Sequence, residues 1–281
     1  MTLIKAKDLS NLEYHSREEF SSSQLKDAME DVERFYKIHV ARTMTKPPMS
    51  QDALDVGSYY HTAILEPHLL KDEFAVYTEP RRAGKVWTDF QAVHGNKTII
   101  NLKGYGEAET LIEATKNNVA AMDLLLQGEA ELSCITKLKG LDIRVRADWI
   151  DTKRKFIMDL KSMTGNAKDE STIVKAIRDR HYDMSAALYI DAFNSVLPAN
   201  QQIREFYWVF ASKNYANCRV WRMTPELYEL GQNKYLKAIQ EIVEARDAGW
   251  VFKDEDIYDV SPAKFELVNY GVESDDDAEL I

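Results

Sequence analysis

Two adjacent stretches of alternating polarity constrain the fold of this chain more than any other part of its sequence. In residues 141–150, apolar and polar positions alternate: Ile143, Val145 and Ala147 against Arg144, Arg146 and Asp148. In residues 156–161 the polar positions are Asp159 and Lys161. A period of two is typical of β-strands, since successive side chains point to opposite faces of a sheet. The polar run 151–155 predicts a turn, so the two stretches should form a hairpin.

The predicted hairpin places two carboxylates side by side. A turn centred on Lys153 and Arg154 brings Asp148 directly across from Asp159. Cβ atoms of cross-strand neighbours lie about 4.5–5.5 Å apart, and like charges at that separation destabilise a hairpin. Lys161 returns to the same face two residues after Asp159. A divalent cation bound between the strands would explain why two acids and an amine share one face.

The pattern Asp…Asp-x-Lys is the constellation of metal-dependent phosphodiester cleavage. Carboxylates on adjacent strands hold Mg²⁺ through hard oxygen ligands, and the ion takes waters and substrate phosphate as its other ligands. Lys161 can then orient the attacking water or help to deprotonate it. The same residues also fit a surface hairpin with a plain salt bridge between Asp159 and Lys161. The hairpin sequence alone leaves both interpretations open.

Composition is ordinary for a globular protein and indicates a reducing compartment. The chain has 281 residues, of which 45% are hydrophobic and 29% charged. It contains no run of about 18 apolar residues that would predict a membrane helix, and its N-terminus lacks the apolar core of a signal peptide. Cys134 and Cys218 are too few for an iron–sulfur cluster or a cysteine-rich zinc site. We therefore expect a cytoplasmic location without membrane contact.

The charges are unevenly distributed along the chain. A net charge of −10 speaks against broad nucleic-acid binding. Basic residues nevertheless cluster in residues 81–85 and around the hairpin, whereas acids concentrate in residues 273–279. This pattern predicts a local, narrow DNA contact and an acidic, mobile tail over residues 271–281.

The order of predicted elements indicates one α/β domain. Helices are predicted at 21–45, 51–65, 87–93, 108–127, 171–179, 183–196 and 225–248, and strands at 132–137, 141–150, 156–161, 204–212 and 217–223, after an irregular segment 1–15. No Gly-rich phosphate loop follows a strand, so a Rossmann-like fold fits poorly. We expect a single domain over residues 1–270. Its first part, 1–128, would be mainly helical, and 129–270 would hold the catalytic sheet and its flanking helices.

Six short patches together resemble one known family. They are residues 21–26, 57–67, 81–90, 144–148, 159–161 and 182–189, in the family's order. The chain resembles the RecE/exonuclease VIII type of exodeoxyribonuclease in the PD-(D/E)XK nuclease superfamily, which comprises phage or prophage recombination enzymes. The resemblance implies a restriction-endonuclease-like core: a mixed central sheet in the order α-β-β-β-α-β, flanked by helices and preceded by a helical N-terminal portion.

The same resemblance implies an activity and its cofactor. The expected reaction is Mg²⁺- or Mn²⁺-dependent digestion of linear double-stranded DNA, 5′ to 3′, leaving 3′ single-stranded overhangs for homologous recombination. By resemblance, Asp148 and Asp159 would be catalytic metal ligands, with Leu160, the residue after Asp159, also among the ligands, and Lys161 would position the water. The family further implies a ring-shaped homo-oligomer and a single-strand annealing protein as partner.

Two further residues are candidates for the metal site. By resemblance, His61 of the Gly-x-x-x-His helix would complete the metal site or contact phosphate. Gly57 lies one turn earlier, and its missing side chain is expected to let the helix approach the sheet. Glu131 begins the first predicted strand and could supply another carboxylate. A plain edge-strand glutamate is an equally good interpretation of Glu131.

Candidate DNA-binding residues come from three patches. They are Arg81, Arg82 and Lys85 in one loop, Arg144 and Arg146 on the hairpin, and Tyr182, Ser185 and Tyr189 on one helix face. Some basic group must hold the terminal phosphate if digestion starts at ends, and the loop or the N-terminus of the helix at 21 could do so. The family usually has glutamine where this chain has Ser185. The tyrosines also fit core-edge positions without a role in DNA binding.

Two alternative functions remain open at this stage. A RecB-like or CRISPR-associated single-strand nuclease would use the same acids and lysine, although the clustered cysteines that often accompany those enzymes are absent from the sequence. A catalytically silent nuclease-fold module for DNA binding or assembly is the second alternative. Intact Asp148, Asp159 and Lys161 speak against that module.

Overall fold

A computed structural model describes residues 2–48, 50–253, 257–260 and 262 of the chain. Met1–Trp250 form one compact unit, and Val251–Ile281 form a second. The described residues of the second unit include no helix or strand. The predicted acidic tail, residues 271–281, lies outside the described residues, and the predicted domain limit at residue 270 stays a prediction.

Eight strands and eleven α-helices make up the first unit as described. The strands are β1 (Thr2–Ile4), β2 (Phe74–Tyr77), β3 (Thr98–Asn101), β4 (Glu129–Leu138), β5 (Leu141–Asp151), β6 (Phe156–Met163), β7 (Glu205–Ser212) and β8 (Asn217–Arg222). The helices are α1 (Asn11–Ser16), α2 (Ser22–Glu30), α3 (Val32–Phe35), α4 (Gln51–Leu65), α5 (Leu70–Glu73), α6 (Gly84–His94), α7 (Leu102–Lys116), α8 (Val119–Leu124), α9 (Glu170–Arg180), α10 (Tyr182–Asn194) and α11 (Pro225–Asp247). Short 3₁₀ turns at Ala6–Asp8 and Ala199–Gln201 and a π-helical turn at Tyr36–Val40 complete the set.

A six-stranded mixed sheet in the order β1-β4-β5-β6-β7-β8 forms the centre of this unit. Neighbouring strands are antiparallel except β6 and β7, which are parallel. Parallel neighbours need a crossover connection, and α9 and α10 provide it. Helices flank the sheet, so the predicted α/β class with the order α-β-β-β-α-β is confirmed. Strands β2 and β3 pair separately, in parallel.

The sheet separates two hydrophobic cores. With Asp148 directly across from Asp159, the apolar residues of both predicted strands would share one face, and that expectation is wrong. Ile143, Val145 and Ala147 of β5 are buried in a core with α2, α10 and α11. Met158 and Leu160 of β6 are buried on the other face, in a core with α4 and α7. Strand β6 therefore has two different sides. Met158 and Leu160 face the second core, whereas Asp159 and Lys161 lie in a cleft on the other side. Burying each large aliphatic side chain stabilises the fold by roughly 1.5–3 kcal/mol.

Local differences from the sequence prediction have identifiable causes. The segment 1–15, predicted to be irregular, contains β1, which pairs with β4 through Leu3 and Cys134, and helix α1. The helix predicted at 21–45 breaks at Asp31, whose carboxylate accepts the Arg34 N–H at 2.8 Å and starts α3. The helix predicted at 108–127 breaks at Asn118, which caps α8 in the same way. Side-chain capping therefore divides both runs.

The described residues include no helix with the length and apolar run that a bilayer crossing would need.

Helices α10 and α11 cross in close contact at Gly231. A β-carbon built there would lie 2.2 Å from the Asp183 carbonyl oxygen, whereas one built at Gly106 in α7 would meet nothing within 4 Å. We expect Gly231→Ala to lower the free energy of unfolding by about 1–3 kcal/mol because the helices must separate. Gly106→Ala, the matched control, should raise it by up to about 1 kcal/mol. Urea unfolding measures both, and equal effects would contradict the close crossing.

Candidate active site

The candidate site lies where β5 and β6 part. The predicted pairing about the turn is right as far as Ile150↔Ile157 and Trp149↔Met158, where the ladder between the strands ends. Beyond it, the Asp148 carboxylate accepts the Leu160 N–H at 2.8 Å in place of a backbone carbonyl. The predicted direct pairing of Asp148 with Asp159 is therefore replaced by a side-chain contact that bridges diverging strands.

Glu131 stands opposite Asp148 on the neighbouring strand, at an interruption of the ladder. The pairs Leu132↔Ala147 and Ala130↔Trp149 flank a position where β4 and β5 make no pair. Glu131 has a φ of 50° there, in the left-handed region. For a residue with a β-carbon this conformation costs on the order of 1–2 kcal/mol. Such backbone strain concentrates at functional sites, and here it accompanies the turn of a carboxylate toward Asp148.

His61 extends from α4 between two hydrogen-bond acceptors. Its Nε2 lies 3.1 Å from the Leu160 carbonyl oxygen, and its Nδ1 lies 3.5 Å from Asp148 Oδ2. A neutral imidazole carries one N–H and can donate to only one of these acceptors. The other nitrogen then turns a lone pair toward an acceptor unless a proton or a metal ion comes between them. The predicted placement of His61 beside Asp148 therefore matches the geometry.

Ligand atoms of His61, Glu131 and Asp148 all lie within 4.8 Å of one another. One imidazole nitrogen and two carboxylate oxygens fit a divalent cation such as Mg²⁺ or Mn²⁺. Burial, and then the charge of Asp148, raise the pKa of the Glu131 carboxyl to about 8. Two acids this close cannot both ionise at low cost, and a bound cation removes that conflict. These residues thus fit the metal that the hairpin pattern predicts.

Asp159 lies next to this cluster and pairs with the lysine. Its carboxylate is 2.5 Å from Lys161 Nζ. Burial, opposed by Lys161, raises the pKa of the Asp159 carboxyl to about 6, and Asp148 contributes to the rise. The Asp159 oxygens do not belong to the cluster of His61, Glu131 and Asp148. Asp159, predicted as a metal ligand, therefore adds negative charge beside the candidate cation position, and its role as a direct ligand stays a prediction.

Lys161 is held as an ammonium ion. Burial lowers its pKa, but the carboxylates of Asp159 and Asp148 outweigh burial and hold the pKa above its ordinary value. Its Nζ also lies 5.0 Å from the centre of the Tyr182 ring, a cation–π contact. A lysine in this state donates hydrogen bonds. It can orient a water or a phosphate oxygen, and it is a poor base.

The predicted DNA-binding residues of α10 share a cavity with the site. Tyr182, Ser185 and Tyr189 line it together with Asp159 and Lys161. Two residues in the same cavity, Ser22 and Lys26 of α2, were not predicted as site residues. Two sequence signals pointed to this segment, the patch 21–26 of the family resemblance and the N-terminus of the helix at 21 as a candidate phosphate site, but neither singled out these side chains.

The loop residues Arg81, Arg82 and Lys85 do not line that cavity. The Arg82 guanidinium donates to the Ile99 carbonyl at 2.6 Å, and Lys85 pairs with Asp89 at 2.8 Å. These three residues lie at the start of α6, away from the lining of the cavity, and their contact with DNA stays a prediction.

The hairpin arginines hold the N-terminal segment. Arg144 donates to the Arg17 carbonyl at 3.0 Å, and Arg146 donates to the Leu9 carbonyl at 2.9 Å. The Arg146 guanidinium also lies 4.2 Å from the centre of the Tyr14 ring. These contacts use the guanidinium groups within the protein, whereas their predicted contact with DNA stays a prediction.

The expectation for Gly57 is wrong. A β-carbon there would meet nothing within 4 Å, so α4 does not need glycine at this position to approach the sheet. His61 reaches the cleft because α4 packs on the second core through Val56, Tyr60 and Ala63.

Residues 21–249 match the model of a family described as a PDDEXK-like domain of unknown function (DUF3799). The chain belongs to this family. A crystal structure of a protein described as a "Putative exonuclease" from Eubacterium rectale superposes on the PDDEXK-like domain with a TM-score of 0.63 at 16% identity, covering 92% of this chain and 97% of that one. It shares the fold.

A second solved structure, of SSO0001, has 14% identity and a TM-score of 0.26, covering 64% of this chain and 86% of that one. That score is too low to assign a shared fold. No relative among curated proteins matches the sequence.

Arg146 provides a test of the anchoring contacts. We expect Arg146→Ala to lower the free energy of unfolding by about 2–4 kcal/mol, because it removes charged hydrogen bonds and leaves the Leu9 carbonyl unpaired. Arg81→Ala, at an exposed arginine, should change stability by less than about 0.5 kcal/mol. Chemical denaturation measures both variants. An unchanged free energy of unfolding in Arg146→Ala would contradict the role of Arg146 in anchoring the N-terminal segment.

Metal binding provides a test of the cluster. We expect Asp148→Asn to abolish Mn²⁺ binding and Glu131→Gln to weaken it by about tenfold, because each change removes a charged oxygen ligand. Glu129→Gln is the matched control, since Glu129 is an exposed glutamate of the same strand. Isothermal titration calorimetry of the folded variants gives the affinities. Wild-type affinity in Glu131→Gln would exclude this residue as a ligand.

Proposed function

We propose that this PDDEXK-like domain is a metal-dependent exodeoxyribonuclease acting on linear double-stranded DNA. The observation that carries the proposal is the gathering of His61, Glu131 and Asp148 within 4.8 Å beside a lysine held as an ammonium ion by Asp159. Three metal-ligating groups beside a fixed hydrogen-bond donor are what phosphodiester hydrolysis needs. The family and the exonuclease-like fold support the same reaction class.

His61, Glu131 and Asp148 would hold the ion, with the Leu160 carbonyl and Asp159 at its border. A bound Mg²⁺ or Mn²⁺ lowers the pKa of a coordinated water and neutralises negative charge that develops on phosphate oxygens. Asp148 also fixes the Leu160 peptide through its N–H. The protein thus positions the ligands before the substrate arrives, which is the main contribution of a preorganised site.

Lys161 supplies the hydrogen-bond donor of the reaction. Its ammonium group, kept charged by Asp159 and Asp148, donates to the attacking water or to a phosphate oxygen and stabilises charge in the transition state. The ring of Tyr182 also contacts the Lys161 ammonium group and restricts where it can move. The structure therefore favours an orienting and charge-stabilising role over deprotonation of water by Lys161.

The finer parts of the proposal follow the family resemblance. We propose 5′-to-3′ digestion that leaves 3′ overhangs for homologous recombination, with a ring of identical subunits and a single-strand annealing protein as partners. A cytoplasmic location of a phage or prophage enzyme agrees with these roles. The cavity next to Lys161 has room for a part of the strand that adjoins the cleaved phosphate.

A substrate panel separates this function from its alternatives. Purified protein is incubated with Mg²⁺ or EDTA and with blunt linear duplex, nicked circle, closed circle or single strand. Metal-dependent shortening of linear duplex, with closed circles intact and the 5′ label released first, is expected. Digestion of single strands only would favour the RecB-like alternative. Binding without cleavage in any metal would favour the silent module.

Two substitutions test the assigned chemistry. We expect Lys161→Met and Asp159→Asn each to lower the rate of duplex cleavage by about 10²–10⁴, because the site loses its oriented donor or the carboxylate that holds it. Circular dichroism should show an unchanged fold. Lys116→Met, at an exposed lysine of α7, is the control and should cleave at the wild-type rate. Wild-type cleavage by Lys161→Met would refute the role of Lys161.

A further inference from the structure

We propose that the cavity beside the candidate active site binds a phosphate group of the DNA strand other than the one cleaved, with Lys26 as its principal ligand. The inference rests on the proposed function, since it names the part of the substrate that this cavity holds. It concerns a lysine that the Asp…Asp-x-Lys pattern does not include.

The cavity is large enough for a phosphate and opens on the reacting groups. Its volume is about 250 Å³, and Asp159 and Lys161 form part of its wall. By the same measure one water needs roughly 10–15 Å³. A strand whose scissile phosphate reaches the metal cluster would therefore place a neighbouring phosphate, or its terminal one, in this space.

Two helices supply polar groups to the cavity at helical spacing. Ser22 and Lys26 lie four residues apart on α2, and Tyr182 and Ser185 lie three apart on α10, so each pair shares one face of its helix. The Ser22 and Ser185 hydroxyls are 2.7 Å apart and join the two faces. Hydroxyl and ammonium groups donate hydrogen bonds to phosphate oxygens. The spacing of these residues thus builds a donor-rich wall.

Lys26 adds to this wall a positive charge that has no carboxylate partner among the described residues. Its Nζ donates to the Arg180 carbonyl at 2.8 Å, which uses one of three N–H donors. Lys26 and Lys161 lie 5.4 Å and 5.0 Å from the centre of the same ring, that of Tyr182. Lys161 has Asp159 as its counter-ion, whereas Lys26 forms no ion pair with any of the described residues. An anion from outside the protein would balance this charge.

The electrostatics of Lys26 agree with an anion-binding role. Burial, and then the nearby charge of Lys161, lower the pKa of Lys26 to about 8. The fold therefore keeps a partly buried ammonium group where an apolar side chain of similar length would be easier to bury. Phosphate oxygens beside it would restore its pKa, and the same contact would hold the strand. A role limited to the Arg180 carbonyl is the competing explanation.

The experiment compares Lys26→Met with wild type and with Lys116→Met, which removes an equal charge from an exposed site. Fluorescence anisotropy in EDTA measures binding of short duplexes with a 5′-phosphate or a 5′-hydroxyl. Cleavage of the same duplexes with Mg²⁺ then gives kcat and KM separately. Thermal unfolding and Mn²⁺ titration verify the fold and the metal site. Lys26→Gln, which can still donate to the Arg180 carbonyl, replaces Lys26→Met if the latter fails to fold.

We expect Lys26→Met to weaken duplex binding and raise KM by about 10- to 100-fold, the loss of a charge-assisted hydrogen bond, with Mn²⁺ affinity unchanged. A loss confined to 5′-phosphorylated ends identifies the ligand as the terminal phosphate. An equal loss on both ends identifies an internal phosphate. Wild-type binding by a folded Lys26 variant would overturn the inference. Phosphate-dependent binding without cleavage by wild type would refute the proposed function and leave this inference standing.

Discussion

The hydrogen bond from the Leu160 N–H to the Asp148 carboxylate is the contact on which the candidate site depends. At the end of the β5–β6 ladder this N–H has no backbone partner, and leaving it unpaired in a buried position would cost about 1–3 kcal/mol. Asp148 supplies the acceptor at 2.8 Å. One carboxylate therefore stabilises the divergence of the strands and, by the same contact, fixes the Leu160 carbonyl where His61 reaches it. Fold and site share a single constraint.

Around that contact the protein gathers more acceptors than it can satisfy by itself. Asp148, Glu131 and the Leu160 carbonyl surround one imidazole, and burial raises the pKa values of the Glu131 and Asp159 carboxyls. This arrangement is unfavourable without a cation, and cores on both faces of the sheet offset the cost. A site that is electrostatically incomplete binds a cation strongly, because binding removes the repulsion between its acids.

The sequence predicted what depends on short-range pattern. Alternation separated Ile143 from Arg144 and Met158 from Asp159, and Pro67 after an amphipathic run bounded α4 at residues 51–65. It could not show that the interrupted ladder at Asp148 would send Ile143 and Met158 to opposite cores. The left-handed Glu131 was beyond prediction, since its conformation arises from an interrupted pairing with β5 rather than from its neighbours in sequence.

Partners distant in sequence explain the other differences. Arg146 was correctly placed on the polar face of β5, yet the pattern could not show that the Leu9 segment covers that face. Lys26 looks like any polar residue of an amphipathic helix until α10, more than 150 residues later, encloses it.

In the proposed function, the two lysines beside Tyr182 would allow so acidic a chain to hold DNA. Charges separated by more than about 8 Å are largely screened at physiological salt, so the net charge of −10 matters less at the cavity than the groups that line it. Lys161 is paired with Asp159 and would act on the reacting phosphate, whereas Lys26 would bind a second one. With the hairpin arginines engaged by the N-terminal segment, attraction of DNA would concentrate at this cavity.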